Sequence, residues 1–335
     1  MKTQIVYVLV SRETDLYLEE LWVSLYSLRR FHQSAKVTVL ADLPTVERIK
    51  GKTELSNMIN NLQLVDVPED YSPKDRSREI KTSIRNLIDG DFLFIDTDTV
   101  ICQPLDEIDD ISSNVNNIAM VPELHDVFKK HLTYNYVSYD VKRIFGTDVT
   151  DSPYWFNTGC MLVKDNAFMR EYFAKWNANW KYSAFTKGNS TDQRSQLKTD
   201  HDYGYITECL PDVYNCQMAM SLKYFFDAKI LHFWHMRKTF TPNMNFSPFL
   251  SHDVYRLLRK SGTINSEISN IIVNIKSEFR NDTMICGEDE IEMVFSPMHT
   301  VLWKSYKESK VMHWFLDKLV YCTNMYYRVK RKVSK

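Results

Sequence analysis

An α/β sandwich built on a mixed, mainly parallel sheet flanked by helices is the fold this sequence predicts, with a helical extension at its C-terminus. Three observations carry the prediction. Short apolar runs alternate with helical patterns from the first residues, and the composition, 44% hydrophobic and 25% charged, is that of a chain with ample core. No Pro-, Ser- or Gly-rich linker interrupts its 335 residues. Strands covered on both faces read as continuous apolar runs, the pattern of a parallel sheet between helices. The expected division is one domain over 1–245 and an extension over 246–335.

The elements follow in order. Ile5–Val10 is an apolar run and the first strand, and Leu16–Phe31 is a helix with Leu18, Leu21, Trp22, Leu25 and Leu28 on one face. Lys36–Leu40 and Leu62–Val67 read as strands, Arg76–Leu87 as a helix and Phe92–Ile95 as the fourth strand. Beyond Lys142 the pattern becomes mixed: Phe156–Val163 reads as a strand, Asn166–Tyr182 as a helix, Lys229–Phe233 as a short strand, and Val254–Phe279 and Val311–Tyr327 as helices. Asn281–Pro297 carries no assignment. Sheets of this kind bind ligands at the carboxyl ends of their strands, so chemistry is expected just after Val10 and just after Ile95.

Several classes are disfavoured at once. The six cysteines are scattered with no CxxC pair, which argues against a zinc site or a disulfide framework and for a reducing, cytoplasmic setting. Arg12, Glu13 and Asp15 follow the first apolar run directly, which suits a buried strand and not a signal peptide. No run approaches the roughly 20 apolar residues a membrane span needs. From Val301 to Lys335 nine Lys and Arg stand against two acidic residues, a local basic tail without any nucleic-acid recognition motif.

The most informative stretch is Asp91-Phe-Leu-Phe-Ile-Asp96-Thr97-Asp98-Thr99. An apolar strand ends on two carboxylates one residue apart, so both can converge on a hard divalent cation that also bridges phosphate oxygens. A rival reading is the nucleophilic-aspartate motif of haloacid-dehalogenase-type phosphatases. That motif usually sits near the N-terminus, and it needs a later lysine and acidic pair; here Asp109-Asp110 follows too closely.

Four further segments accompany the acidic turn. They are Tyr154-Trp155-Phe156-Asn157-Thr158-Gly159-Cys160, then Asp192-Gln193, then Leu210-Pro211-Asp212-Val213-Tyr214-Asn215, then Ile230-Leu231-His232-Phe233-Trp234-His235-Met236-Arg237-Lys238. Their succession over residues 5 to 240 resembles glycosyltransferase family 8 of the GT-A fold, the family of glycogenin and the bacterial lipopolysaccharide galactosyltransferases. His235 stands where the family has glycine, Thr239-Phe240 replaces its Pro-Trp, and the interval from Asp96 to Asn157 is longer than the family's.

The resemblance implies a metal-dependent, retaining hexosyltransferase of polysaccharide biosynthesis, with a nucleotide-diphosphate sugar, UDP-linked, as donor and a glycan or lipid-linked acceptor. It implies that Asp96, Asp98 and His232 hold Mn²⁺ or Mg²⁺, with imidazole beside carboxylates favouring Mn²⁺; His235 is a second candidate one turn on. Lys238 would neutralise the diphosphate, and Arg78 and Lys81, ahead of the acidic strand, reach the same phosphates. Val10 and Ser11 would contact the base and Tyr17 would stack on it. Thr97, Asn157, Thr158, Gly159, Asp192 and Gln193 complete the donor site, with Asp192 and Gln193 placed at the reacting centre.

A sugar-nucleotide pyrophosphorylase would carry a glycine-rich loop where this chain has Val10-Ser11-Arg12-Glu13-Thr14. A non-catalytic nucleotide-sugar-binding protein stays open as an alternative, although such a protein has less need of Asp96, Asp98 and His232. In the tail, apolar and aromatic residues from Met312 to Tyr327 recur at helical spacing ahead of Arg328, Lys330, Arg331, Lys332 and Lys335. An anionic membrane surface, at the inner face of the membrane, is the partner that pattern predicts.

Overall fold

A computed structural model describes residues 1–218, 222–234, 247–278 and 296–333. Ten strands are seen among them: β1 (Gln4–Leu9), β2 (Val37–Ala41), β3 (Asn61–Leu64), β4 (Phe92–Ile95), β5 (Thr99–Ile101), β6 (Ile118–Pro122), β7 (Phe156–Val163), β8 (Glu208–Cys209), β9 (Cys216–Gln217) and β10 (Ile230–His232). Seven form one sheet in the order β3-β2-β1-β4-β7-β6-β8, in which β7 alone runs against its neighbours. The other three form a small sheet, β5-β10-β9. This is the expected mixed, mainly parallel sheet between helices.

Its central strands are apolar on both faces because both faces are covered. Every residue of β1, β2, β4 and β7 is buried. The first helix, α1 (Tyr17–Phe31), lies over one face with its expected stripe of Leu18, Leu21, Trp22, Leu25 and Leu28 inside. Helix α2 (Leu43–Lys50) is started by Asp42, whose side chain accepts from Thr45 N–H, and the single turn α3 (Thr53–Ser56) follows. On the other face lie α4 (Pro73–Ser83) and, after α5 (Ile108–Asn114) and α6 (Tyr134–Phe145), α7 (Ala167–Lys181), then α8 (Asp192–Asp202). The expected helix at Arg76 begins earlier, because Ser72 caps it and Pro73 occupies its first position, where a missing N–H costs nothing.

The single helix expected over Val254–Phe279 is two, α9 (Asp253–Ser261) and α10 (Ser266–Val273). Gly262, at φ 69°, closes the first in the left-handed region, and Asn265 caps the second by accepting from Ile268 N–H. Although they lie beyond residue 245, both helices join the sheet-bearing unit. Val254, Tyr255, Leu258, Ile268 and Ile272 belong to its core, and Arg259 pairs with Glu19 of α1 at 2.7 Å.

A second compact unit is made among the described residues by α11 (Pro297–Glu308) and α12 (Lys310–Val333). Tyr306 stacks on His313 with centroids 4.0 Å apart, fixing one helix on the other. Trp314, Phe315, Leu319, Val320, Tyr321, Met325 and Tyr326 of α12 are exposed.

Inside α8, Asp200 is buried and accepts from the Thr207 amide (3.1 Å) and hydroxyl (2.6 Å). Burial pushes its carboxyl up to about 6 against those bonds. A carboxyl raised in the folded state contributes stability at low pH that is lost as pH rises through the folded value. The stability of Asp200→Asn relative to wild type should therefore improve between about pH 4 and about pH 6 and stay level above, as read by thermal melts of both proteins across that range.

Candidate active site

The acidic turn is built by the junction of the two sheets. Strand β4 ends at Ile95, and Asp96, Thr97 and Asp98 form the short connection into β5. Strand β10 pairs antiparallel with β5, with His232 opposite Thr99, so the histidine arrives beside the second aspartate. Backbone bonds fix both ends: Asp96 N–H donates to Gly159 O at 2.8 Å, and Phe233 N–H donates to Asp98 O at 2.8 Å.

One donor atom each from Asp96, Asp98 and His232 falls within 4.8 Å of the others. His232 is 2% exposed. Its Nε2 lies 3.1 Å from Asp98 Oδ1, yet it is a buried nitrogen without a properly directed hydrogen bond. Burial alone would lower this imidazole's pKa, but the Asp98 and Asp96 carboxylates outweigh it and raise it. A buried nitrogen beside two carboxylates and without a directed hydrogen bond fits a divalent cation well. Gly159 is required for the packing, since a Cβ there would sit 2.3 Å from His232 Cε1 and 2.8 Å from its Nδ1.

A second cluster adjoins the first. Asp192, buried at the start of α8, accepts from the Thr158 hydroxyl at 3.0 Å and lies 3.2 Å from Arg78 Nε and 3.4 Å from Lys81 Nζ. Lys81 also reaches both oxygens of Asp96, at 3.0 and 3.1 Å. Burial would raise the Asp192 carboxyl, but Arg78, Lys81 and the Thr158 hydroxyl hold it well below the usual carboxylate range. Asp192 is thus a permanent anion between two cations. Arg78 and Lys81 meet it because one helical turn separates them on α4.

Asn157 and Gln193 come together on a residue the sequence reading missed. Glu123, 5% exposed, accepts from Asn157 Nδ2 at 2.9 Å and Gln193 Nε2 at 2.6 Å through the same oxygen. Burial raises its carboxyl, opposed by those two bonds. It follows β6 directly, and an apolar run ending at Pro122 was the available signal. Asn215, part of the Leu210–Asn215 segment, was also missed as a site residue. It is fully buried between Asn157 Oδ1 (3.0 Å) and His232 Nδ1 (2.9 Å).

The remaining expected residues are placed unevenly. Val10 and Ser11 are buried, and Ser11 is engaged by Thr45, Asp15 and Arg48. Tyr17, 48% exposed, lines a cleft of about 610 Å³ with Thr14, Asp15 and Glu20 on one side and Arg256 and Lys260 of α9 on the other. Burial and the carboxylates of Glu20, Asp15 and Asp98 push its hydroxyl up, which puts it in the field of the acidic turn. Thr97 lies between the two aspartates. Lys238 and His235 lie outside the described residues.

No protein-family model matches the sequence, and no curated protein matches it. Solved structures do. The galactosyltransferase LgtC, in complex with donor and acceptor sugar analogs, aligns with a TM-score of 0.53 at 16% identity, over 80% of this chain and 99% of that one. The bifunctional glycosyltransferase WbbM, in its apo form, aligns with a TM-score of 0.50 at 14% identity, over 81% of this chain and 51% of that one. The fold is therefore GT-A, shared with these glycosyltransferases.

Gly159→Ala should force a methyl group into the buried His232 ring. Overpacking of this kind costs typically about 1–3 kcal/mol, to be read as a lower urea midpoint at unchanged slope.

Proposed function

We propose that this protein is a metal-dependent, retaining hexosyltransferase that takes a sugar from a nucleotide diphosphate, UDP-linked, to a glycan or lipid-linked acceptor. The observation that carries this reading is the meeting of Asp96, Asp98 and the undirected Nε2 of His232 at strand ends, next to the Asp192–Arg78–Lys81 cluster. LgtC, a structure of the same fold, is described with donor and acceptor sugar analogs bound, which supports both substrates.

A Mn²⁺ or Mg²⁺ ion held by Asp96, Asp98 and His232 would supply Lewis-acid stabilisation of the diphosphate leaving group. The chain's own residues do the rest. Lys81 and Arg78 bring positive charge to the same side, and Lys238 adds a flexible ammonium for the departing diphosphate. The Asn157 and Gln193 amides and Thr158 bind sugar hydroxyls. Asp192, kept ionised, faces the reacting carbon as the charge that stabilises an oxocarbenium-like centre. Val10, Ser11 and Tyr17 take the base. These residues all fall within 1–245, the span assigned to catalysis.

The phosphatase alternative loses its acidic pair. Asp109 is bound to the Lys2 and Thr3 amides at 2.7 and 2.8 Å, at the amino end of β1 and away from the acidic turn.

Transfer from UDP-hexoses, scanned across sugars, should require Mn²⁺ or Mg²⁺ and stop with EDTA. Asp98→Asn should lower turnover by about 10²–10³, and wild-type turnover in that variant would reject the site. Titration calorimetry divides the donor's two ends. Lys238→Ala should weaken UDP binding, while Asp192→Ala leaves UDP affinity nearly intact and reduces transfer; equal weakening would reject the layout.

The extension over 246–335 is assigned a second task at its end, holding the enzyme to an anionic membrane surface. No helix among the described residues is long and apolar enough to cross a membrane. Exposed Trp314, Phe315 and Tyr321 on α12 suit an interface. Each basic residue near an anionic surface adds about 1 kcal/mol, and Arg328, Lys330, Arg331 and Lys332 follow. The full chain should pellet with phosphatidylglycerol vesicles at low salt and be released at high salt. Triple substitution of Lys330, Arg331 and Lys332 by Glu should abolish pelleting, and salt-independent binding would contradict the assignment.

A further inference from the structure

The histidine that faces the acidic turn is joined to the amides of Asn157 and Gln193 by an unbroken line of hydrogen bonds, buried from Glu123 to His232. Glu123 Oε2 accepts from Gln193 and from Asn157, Asn157 Oδ1 accepts from Asn215 Nδ2, and Asn215 Oδ1 faces His232 Nδ1. None of Glu123, Asn157, Asn215 and His232 is more than 6% exposed, so water does not complete the line.

Amides in series have two self-consistent directions, and they differ in what they do to the histidine. In one, each amide donates toward Glu123, Asn215 turns its carbonyl to His232, and Nδ1 carries the proton. The Nε2 lone pair then faces Asp96 and Asp98. In the reverse direction Asn215 turns its NH₂ to Nδ1, the proton moves to Nε2, and that nitrogen is lost as a ligand. Two anchors choose the first direction. The Glu123 carboxylate is an acceptor at the far end, and the Gly159 N–H, which can only donate, meets Asn157 Oδ1 at 2.9 Å.

The backbone beyond Glu123 shows that its place is enforced. Leu124 and His125 both sit in the left-handed region, at φ 52° and 61°. Non-glycine residues are disfavoured there, because Cβ crowds the following carbonyl. The turn is clamped by Gln217, whose Oε1 accepts from Leu124 N–H at 2.8 Å and whose Nε2 donates to Pro122 O at 3.0 Å, and by Asp212, 2.8 Å from His125 Nδ1. Both clamps flank Asn215 in sequence. The segment that delivers Asn215 to the histidine therefore also holds the strained turn that aims Glu123.

We infer that Glu123 and Asn215 are positioning residues whose hydrogen-bond direction sets the His232 tautomer, Nδ1–H toward Asn215 and the Nε2 lone pair toward Asp96 and Asp98. The line makes the sugar pocket and the metal site one hydrogen-bonded unit. This rests on the metal site proposed above.

The test is Mn²⁺ binding to the full-length, nucleotide-free protein, read from the electron paramagnetic resonance signal of free Mn²⁺, with folding checked by circular dichroism. Asn215→Leu should weaken Mn²⁺ binding roughly 10–100-fold, whereas Asn215→Asp, still an acceptor for Nδ1–H, should retain most of it. Glu123→Leu should lose less in the same direction, because Gly159 still holds Asn157, and Glu123→Gln should recover wild-type affinity. Unchanged affinity in both leucine variants overturns the inference and leaves the metal site standing. Failure of the wild type to bind Mn²⁺ any better than Asp98→Asn overturns both. Should the leucine variants not fold, the ¹⁵N spectrum of the metal-free wild type, taken above the imidazole's titration, decides: a neutral His232 with its proton on Nδ1 supports the assignment, and a proton on Nε2 overturns it.

Discussion

Lys81 is the contact on which the site depends. Three carboxylates, Asp96, Asp98 and Asp192, are drawn together at the carboxyl end of the sheet, and their mutual repulsion would grow as burial removes water. The Lys81 ammonium, itself 2% exposed, lies against two of them and 5.0 Å over the Phe94 ring. A buried lysine is tolerated only with such partners, and the partners only with the lysine. The placement of α4 is consequently constrained from both ends. Asn177 of α7 donates to Thr82 at 2.8 Å, Lys181 reaches Glu79 at 2.9 Å, and the apolar side of the helix closes the second face of the sheet.

That dependence explains which parts were legible from residues alone. Strands β1, β4 and β7 lie at the centre of the sheet, are buried on both faces, and so print as unbroken apolar runs. The acidic turn after β4 was visible because an apolar strand ends there on two carboxylates one residue apart, a local pattern that needs no knowledge of the fold. Glu123 was not visible, since β6 was not recognised as a strand and a single glutamate after it carries no pattern. Its partners are 34 and 70 positions away, so only the fold brings them together. The break between α9 and α10 was legible in principle, in Gly262 and Asn265, but the apolar period runs through it and conceals it. Helix period and helix ends are separate signals, and here they disagree.

The strain at Leu124 and His125 belongs to the same economy of structure. A left-handed pair at the exit of β6 lets the chain turn sharply enough for the Glu123 side chain to face β7 and α8, where Asn157 and Gln193 lie. Glycine at those positions would relieve the strain and loosen the turn. The clamps from Gln217 and Asp212 keep the side chains and the strain together, as expected where the fold over-determines a functional geometry.

Charge balance then argues for what the site takes in. Asp96, Asp98 and Asp192 stand against Lys81 and Arg78, and the nearby aspartates raise the His232 imidazole against its burial. Glu123 stands apart, its carboxyl held by the two amides. A divalent cation on a neutral His232 would leave the cluster with one positive charge in excess. The diphosphate of a nucleotide sugar carries two negative charges, which overshoots by one in the other direction. A single further cation would restore neutrality. On this tally neither the metal nor the nucleotide sugar of the proposed function would be accommodated alone as well as both together, so binding of each would be coupled to the other.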